Sequence, residues 1–179
     1  MSANGLGMRL AIGTLSLLFL TSAWGICSSR STYFVVNNDS VYDAKTDLTW
    51  MRCSFGQTWT PGLGCVGIPY KIPVSASFRF HHLEWTDASG RSTTGWRVPG
   101  RDELLSIVNH DCPSGFGSVP MATIDHEIFP DTPVEYFLAH APGDSRSCEL
   151  ISFIDGRGIE ACGGWQGSVF PLRLVRSGR

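Results

Sequence analysis

Gly95-Trp96-Arg97-Val98-Pro99-Gly100-Arg101-Asp102-Glu103-Leu104-Leu105-Ser106-Ile107-Val108 reads as a short strand, a turn and a helix in immediate succession. Trp96 and Val98 alternate with Arg97, which puts the two apolar side chains on one face of an extended segment. Pro99 has no N–H to give to a ladder and ends the strand. Gly100 falls where a helix N-cap is needed, and Glu103, three residues on, is placed to reach back to its backbone N–H. Leu104, Leu105 and Val108 then recur at spacings of three and four and form one apolar helix face. No residue pair in this stretch is shaped for chemistry. It is a packing unit, a tryptophan strand feeding a capped helix, and the other segments must supply sheets for it to pack against.

To the N-terminal side, the chain alternates strand and turn signals. Thr32 to Val36 is β-rich, Asn37-Asn38-Asp39-Ser40 is a turn, Val41-Tyr42-Asp43 is a second strand, and Leu48 to Cys53 follows the Thr46-Asp47 turn. These three segments predict an antiparallel meander. Asn38-Asp39-Ser40 also matches an N-glycosylation sequon, a pattern that matches often by chance. Cys53 to Cys65 encloses Gly56-Gln57-Thr58-Trp59 and Pro61-Gly62-Leu63-Gly64 and reads as a stapled loop. Trp59 within it is either a binding aromatic or a lid over the core. Ser75 to Phe80 is a strand candidate and Leu83 to Ala88 a short helix. His81-His82 is no metal site, because neighbours on a strand point to opposite faces.

To the C-terminal side, Asp111-Cys112-Pro113 stops the helix. Asp125-His126-Glu127 offers three potential bases or ligands, but consecutive side chains seldom converge, and a polar loop leading to a buried Phe129 is the simpler expectation. Val134 to Ala139 and Cys148 to Ile154 are strands, and Asp155-Gly156 is a hairpin signal returning through Ile159 to Cys162. Gly163-Gly164-Trp165-Gln166-Gly167 is a glycine-flanked loop that presents Trp165. Val169 to Arg176 closes the chain as a strand alternating arginine and aliphatic residues.

The N-terminus bounds the setting. Arg9, the apolar run Leu10–Leu20 and Ala23-Trp24-Gly25 form a secretory signal peptide over residues 1–25. The run is short of the about 20 residues of a membrane span, so no span is expected after cleavage. Residues 26–179 are then a single domain. Without Arg9 the mature chain carries 13 Lys and Arg against 16 Asp and Glu, a formal charge of −3, with no like-charge block, which argues against nucleic-acid binding. Cys27, Cys53, Cys65, Cys112, Cys148 and Cys162 all follow the cleavage site, as disulfide cysteines of an exported chain do. The expected pairing is Cys53–Cys65 and Cys148–Cys162 across short loops, with Cys27–Cys112 tying down the N-terminus; sequence alone leaves the other pairings open. Metalloprotease, serine-hydrolase and phosphate-loop patterns are missing, so no enzyme activity, catalytic residue, metal or cofactor is assigned.

With these residues laid out, the chain resembles the Lcl C-terminal domain family, named for the end domain of a bacterial collagen-like adhesin. The resemblance rests on Asp43 with Thr46-Asp47-Leu48-Thr49-Trp50, Arg52-Cys53, Gly56-Gln57-Thr58-Trp59 with Cys65, Gly95-Trp96-Arg97-Val98-Pro99 with Glu103-Leu104, Phe129-Pro130-Asp131-Thr132-Pro133, Phe153 with Asp155-Gly156, and Leu172-Arg173-Leu174-Val175-Arg176. The chain departs from the family in a shortened helix at Glu84–Ala88, in Tyr136-Phe137-Leu138-Ala139, and in Cys112, Cys148 and Cys162. The resemblance implies an α+β, C-type lectin-like fold, disulfide-stapled, with antiparallel sheets and one or two short helices. It further implies an exported, adhesin-like binding domain in the periplasm or at the cell surface. Its partner would be a glycan or an envelope or surface protein, with homo-oligomerisation left open; no ligand-site residues carry over from the family, and Trp59 and Trp165 are the ligand-binding candidates as exposed aromatics of this sequence. A protein-partner module of a pilus, secretion or toxin-neutralising system is the alternative. The calcium-lectin runs Glu-Pro-Asn, Gln-Pro-Asp and Trp-Asn-Asp are absent, so a calcium site is not expected.

Overall fold

The computed structural model describes residues 33–74, 95–111, 122–140, 148–160, 165 and 167–179. The expected meander forms. β1 (Phe34–Asn37), β2 (Ser40–Asp43) and β3 (Leu48–Met51) pair antiparallel, and β11 (Val175–Ser177) adds to the far side of β3, giving the order β1-β2-β3-β11. Asn38 and Asp39 make the first turn, with Asn38 at φ +26°, a region that asparagine tolerates better than most residues. At the second turn the Asp43 carboxylate accepts from the Lys45 N–H (2.9 Å) and the Thr46 hydroxyl (2.7 Å). Val41, Trp50 and Val175 fall side by side across three strands, and all are fully buried.

β7 (Tyr136–His140), β8 (Cys148–Ser152) and β9 (Gly158–Glu160) form a second antiparallel sheet, with β8 in the middle. The Asp155-Gly156 turn joins β8 to β9 as its sequence predicts, with Gly156 at φ +78° and its N–H donating to the Ser152 carbonyl (2.8 Å). This sheet is buried on both faces. Phe137, Ala139 and Ile151 point into one core with Val41, Trp50, Leu104, Phe129 and Phe153. Leu138 and Leu150 point the other way, into a core with Phe55, Ile72, Val98, Phe170, Leu172 and Leu174. One strand thus feeds two cores, which is why Phe137-Leu138-Ala139 is an unbroken apolar run rather than an alternating one.

The helix α1 (Arg101–Ser106) packs on β7 and β8. It is shorter than the apolar spacing suggests. Ile107 leaves the helix, and Val108 makes an antiparallel bridge to Ile124. Within the helix Leu104 is the buried residue, and Ile107 just past its end is buried too. The Trp96–Val98 segment ahead of it contributes one bridge rather than a ladder. Arg97 exchanges both backbone hydrogen bonds with Val175 (2.9 and 3.0 Å), so it extends the first sheet beyond β11.

Two expectations are corrected. The Cys53–Cys65 loop is a hairpin, β4 (Thr58–Thr60) against β5 (Gly64–Val66), because Thr-Trp-Thr suits a strand and Gly62 supplies a positive φ in the turn. Lys71–Pro73, to which no element is assigned from sequence, is β6. The closing segment Val169–Arg176 is not one strand. β10 (Val169–Pro171) pairs with β6, whereas β11 pairs with β3, and Leu172, Arg173 and Leu174 between them are all fully buried. Pro171 cannot donate onward along a ladder, and the chain crosses from one sheet to the other there. The strand candidate at Ser75–Phe80, the helix at Leu83–Ala88, the signal peptide, and the pairings Cys27–Cys112 and Cys148–Cys162 involve residues outside the described set.

Candidate functional site

The crossing between β10 and β11 places a guanidinium at the centre of the molecule. Arg173 is 0% exposed. Its Nη1 donates to the carbonyls of Met51 (2.9 Å) and Arg52, and its Nη2 to the Thr132 hydroxyl (2.7 Å), while its carbon lies 4.9 Å from the centre of the Phe129 ring. Burial pushes its pKa down to about 9, which leaves it charged at neutral pH. These partners are neutral oxygens, so the residue acts as a buried clamp that ties β3's exit to the Phe129–Thr132 turn.

Arg52 repeats the device nearer the surface. Its Nε and two Nη atoms donate to the carbonyls of Ile128 (3.1 Å), Asn38 (3.0 Å) and Glu127 (3.0 Å), and desolvation lowers its pKa. Trp59 lies against this guanidinium, 3.7 Å from ring centre to carbon, and its indole N–H donates to the Asn38 side-chain oxygen (3.1 Å). The stapled hairpin is therefore held down at several points. The Cys53–Cys65 disulfide closes its base, as expected. The Cys65 N–H donates to Asp131 Oδ2 (2.9 Å), and a side chain at Gly64 would collide with that same oxygen. Trp59 is half-buried and serves as a lid over Arg52, with one ring face already occupied.

Trp165 stands in a different setting. It is 39% exposed and leans on two rings, Tyr136 (centroids 6.2 Å, 48° apart) and Phe170 (5.8 Å, 63°). Its carbonyl accepts from the Ser168 N–H (2.9 Å), which fixes it to the start of β10. Lys71, the cross-strand partner of Pro171, forms an ion pair with Glu135, the residue before Tyr136, at 2.6 Å. The three rings and the ion pair each join residues far apart in sequence. Trp165 was legible as an exposed aromatic, whereas Tyr136, Lys71 and Glu135 carried no signal of their own.

Two further features complete the surface. Arg97 and Glu103 form a two-bond fork (2.6 and 2.6 Å), and Glu103 Oε2 also accepts the Gly100 N–H (2.7 Å). The hydrogen bonds from Arg97 hold the Glu103 carboxyl below its ordinary pKa. The stapled hairpin and the loop after it expose Leu63 (74%), Val66, Ile68 (85%) and Tyr70, with no charged residue between Cys53 and Tyr70. Asp125 turns inward and accepts from the N–H groups of Glu127 and Ile128, so the Asp125-His126-Glu127 run is a turn that anchors Phe129, as the simpler expectation held. Among the described residues no group of three or more His, Cys, Asp or Glu could hold a metal ion, and no helix is long and apolar enough to cross a membrane.

No curated protein and no solved structure matches the chain. A family profile does, the Lcl C-terminal domain, over residues 39–176. That span runs from the first β-turn through the Arg173 crossing to β11, and on this match the chain belongs to the Lcl C-terminal domain family.

Proposed function

We propose that this chain is an exported, non-enzymatic binding domain of adhesin type that recognises a glycan or cell-surface ligand. We place the fold in the C-type lectin-like class, with residues 1–25 as a cleaved signal peptide. The observation that carries the reading is Trp165, held exposed on Tyr136 and Phe170. A soluble domain gains nothing in stability by leaving a tryptophan half in water, and aromatic faces are the common contact for ligands with apolar and polar sides. Trp59, half-buried with one ring face committed to Arg52, is the second aromatic. The family supports the adhesin setting, and the Cys53–Cys65 disulfide supports an oxidising compartment.

The test is a glycan array probed with the purified, oxidised protein and with its Trp165→Ala and Trp59→Ala variants. The expected result is glycan binding that Trp165→Ala abolishes and Trp59→Ala weakens. Binding that survives both substitutions would remove the aromatic residues from the site.

The second reading, a protein-partner module, has its own observation. Leu63, Val66, Ile68 and Tyr70 form an uncharged apolar surface on a disulfide-braced hairpin, and such patches mark protein contacts. Recovery of a stoichiometric complex from envelope extracts, lost on Leu63→Asp with Ile68→Asp, would favour it over the glycan reading.

A further inference from the structure

We infer that the free edge at β1 pairs with the same edge of a second copy of this chain, so that two four-stranded sheets join about a two-fold axis at Val35. The register of the first sheet sets four side chains in one row on its inner face, since directly opposite residues project to the same side. Val36 stands opposite Val41, Val41 opposite Trp50, and Trp50 opposite Val175. Val41, Trp50 and Val175 are fully buried, whereas Val36, the outermost member, is 45% exposed. At its other end the row is closed, because Val175 exchanges backbone hydrogen bonds with Arg97. Among the described residues no strand adjoins β1 on its outer side.

The hydrogen-bond alternation shows which backbone groups this edge offers. The Ala44 N–H donates to the Tyr33 carbonyl (2.9 Å), which makes Tyr33 and Ala44 a bonded pair. Bonded pairs alternate along an antiparallel ladder, so Val35 bonds with Tyr42, while Phe34 and Val36 turn their N–H and C=O groups outward. The Arg52 N–H donates to the Asp39 carbonyl (3.0 Å), and the same alternation then directs the Val41 backbone to Trp50 rather than to Val36. Two donors and two acceptors therefore line the edge. A second β1, antiparallel to the first, sets Phe34 of each copy opposite Val36 of the other and satisfies all of these groups, with Val35 facing its own twin on the axis. Phe34 already stands edge-on to Phe129, with ring centroids 5.8 Å apart. In the pair it also covers the exposed Val36 of the other copy, and the open end of the row is closed.

The composition of the edge selects a copy of itself as occupant. A two-fold axis brings each residue near its own twin or a near neighbour of it, so a charged edge would repel itself. No charged residue and no proline lies between Arg30 and Asp39. The register from Phe34 to Asn37 runs without a bulge. Lysine, proline and bulges are devices that keep an edge strand from pairing, and β1 carries none of the three. On the outer face of the sheet the pairing sets the exposed Val35 against Val35 and the exposed Tyr33 across from Asn37. Four residues make a short contact, so the association is reversible and concentration-dependent. It is independent of which ligand the domain binds.

The experiment is sedimentation velocity of the exported protein, purified with disulfides intact, from about 1 to about 300 μM. It is repeated for Val35→Lys, Val35→Glu and Val36→Pro, with circular dichroism as the check on folding. Proline at position 36 removes an outward N–H and spares the bonds to β2. The expected result is a monomer–dimer equilibrium that each variant weakens at least about tenfold. Mixing Val35→Lys with Val35→Glu in equal amounts should restore the dimer, because opposite charges then meet at the axis. That mixture decides the matter even if Val36→Pro fails to fold. A wild type that stays monomeric throughout would overturn the inference, whether the edge then proves free or takes an unrelated extended segment. A dimer indifferent to all three substitutions, or a closed trimer, which a two-fold edge contact cannot build, would overturn it as well.

Discussion

Replacing Glu103 by alanine tests the central motif, because one carboxylate there does two jobs. It forms a fork with Arg97 through two hydrogen bonds of 2.6 Å, and it caps α1 by accepting the Gly100 N–H at 2.7 Å. Arg97 in turn exchanges both backbone hydrogen bonds with Val175, so the carboxylate links the helix start to the edge of the first sheet. Loss of a helix cap costs about 1 kcal/mol. The fork is partly shielded, with about a third or less of each side chain exposed. It falls between an exposed pair of under about 1 kcal/mol and a charge-assisted hydrogen bond of about 1.5–3 kcal/mol. The two contributions together predict a loss of about 2–3 kcal/mol, or about 4–12 °C in Tm for a domain of this size.

The same interaction fixes a pH dependence. The hydrogen bonds from Arg97 depress the Glu103 pKa in the folded protein below its unfolded value. The folded state therefore holds fewer protons on this group as pH falls through that interval. The stabilisation is fully present above the unfolded pKa, near pH 4.5, and is lost as the pH drops through the lower folded value. Urea denaturation of wild type and Glu103→Ala from pH 3 to pH 7 measures it. The two stability curves should lie apart at pH 6–7 and converge as the pH falls below 4.5. A difference under about 0.5 kcal/mol at pH 7, the ordinary range of surface substitutions, would refute the dual role. A constant gap at all pH values would refute the ionic part of it.

Other substitutions probe the clamps around the hairpin and the crossing. Gly64→Ala forces a side chain into the Asp131 carboxylate at φ +81°. It should cost about 2–4 kcal/mol by denaturant titration, from backbone strain and the lost Cys65 hydrogen bond; a loss below about 1 kcal/mol would show that the loop shifts freely. Replacing both Cys53 and Cys65 by serine opens a short loop and should cost about 3 kcal/mol in the unfolding free energy, with the rest of the sheet structure retained by circular dichroism. Arg173→Ala leaves the Met51 and Arg52 carbonyls and the Thr132 hydroxyl without their donor in a dry core. It should destabilise by about 3–5 kcal/mol, enough to leave little folded protein at 37 °C, and a soluble variant with wild-type Tm would refute the clamp.

The parts legible in sequence are those whose cause is local. The meander, the Asp155-Gly156 hairpin and the start of α1 follow from turn chemistry, alternation and a cap within a few residues of each other. The Cys53–Cys65 pairing follows from a short enclosed segment. What sequence misplaced depends on distant partners. Leu172-Arg173-Leu174 has the alternation of a strand with an outward arginine, yet Arg173 points inward, because carbonyls from β3's exit and a hydroxyl 41 residues away solvate it there. The helix ends at Ser106 although Ile107 and Val108 continue its apolar face, because Ile124 offers Val108 a bridge. The Lys71–Glu135 pair is of the same kind, as its two residues meet only through the β6–β10 ladder and the packing of β7 on β10.

The tryptophans make the same point about function. Trp50 is fully buried in the first core. Trp59 and Trp96 are half-buried, and each carries a guanidinium against its ring, from Arg52 at 3.7 Å and Arg176 at 5.0 Å. A cation on an indole face holds two neighbouring segments together and uses a surface that a ligand would need. The described ring contacts of Trp165 are with Tyr136 and Phe170 instead, and those brace it from the protein side while leaving it open to solvent. The sheet of β7, β8 and β9 is buried on both faces. Under the proposed binding function, Trp165 is, among the described tryptophans, the one whose surroundings leave it to a ligand.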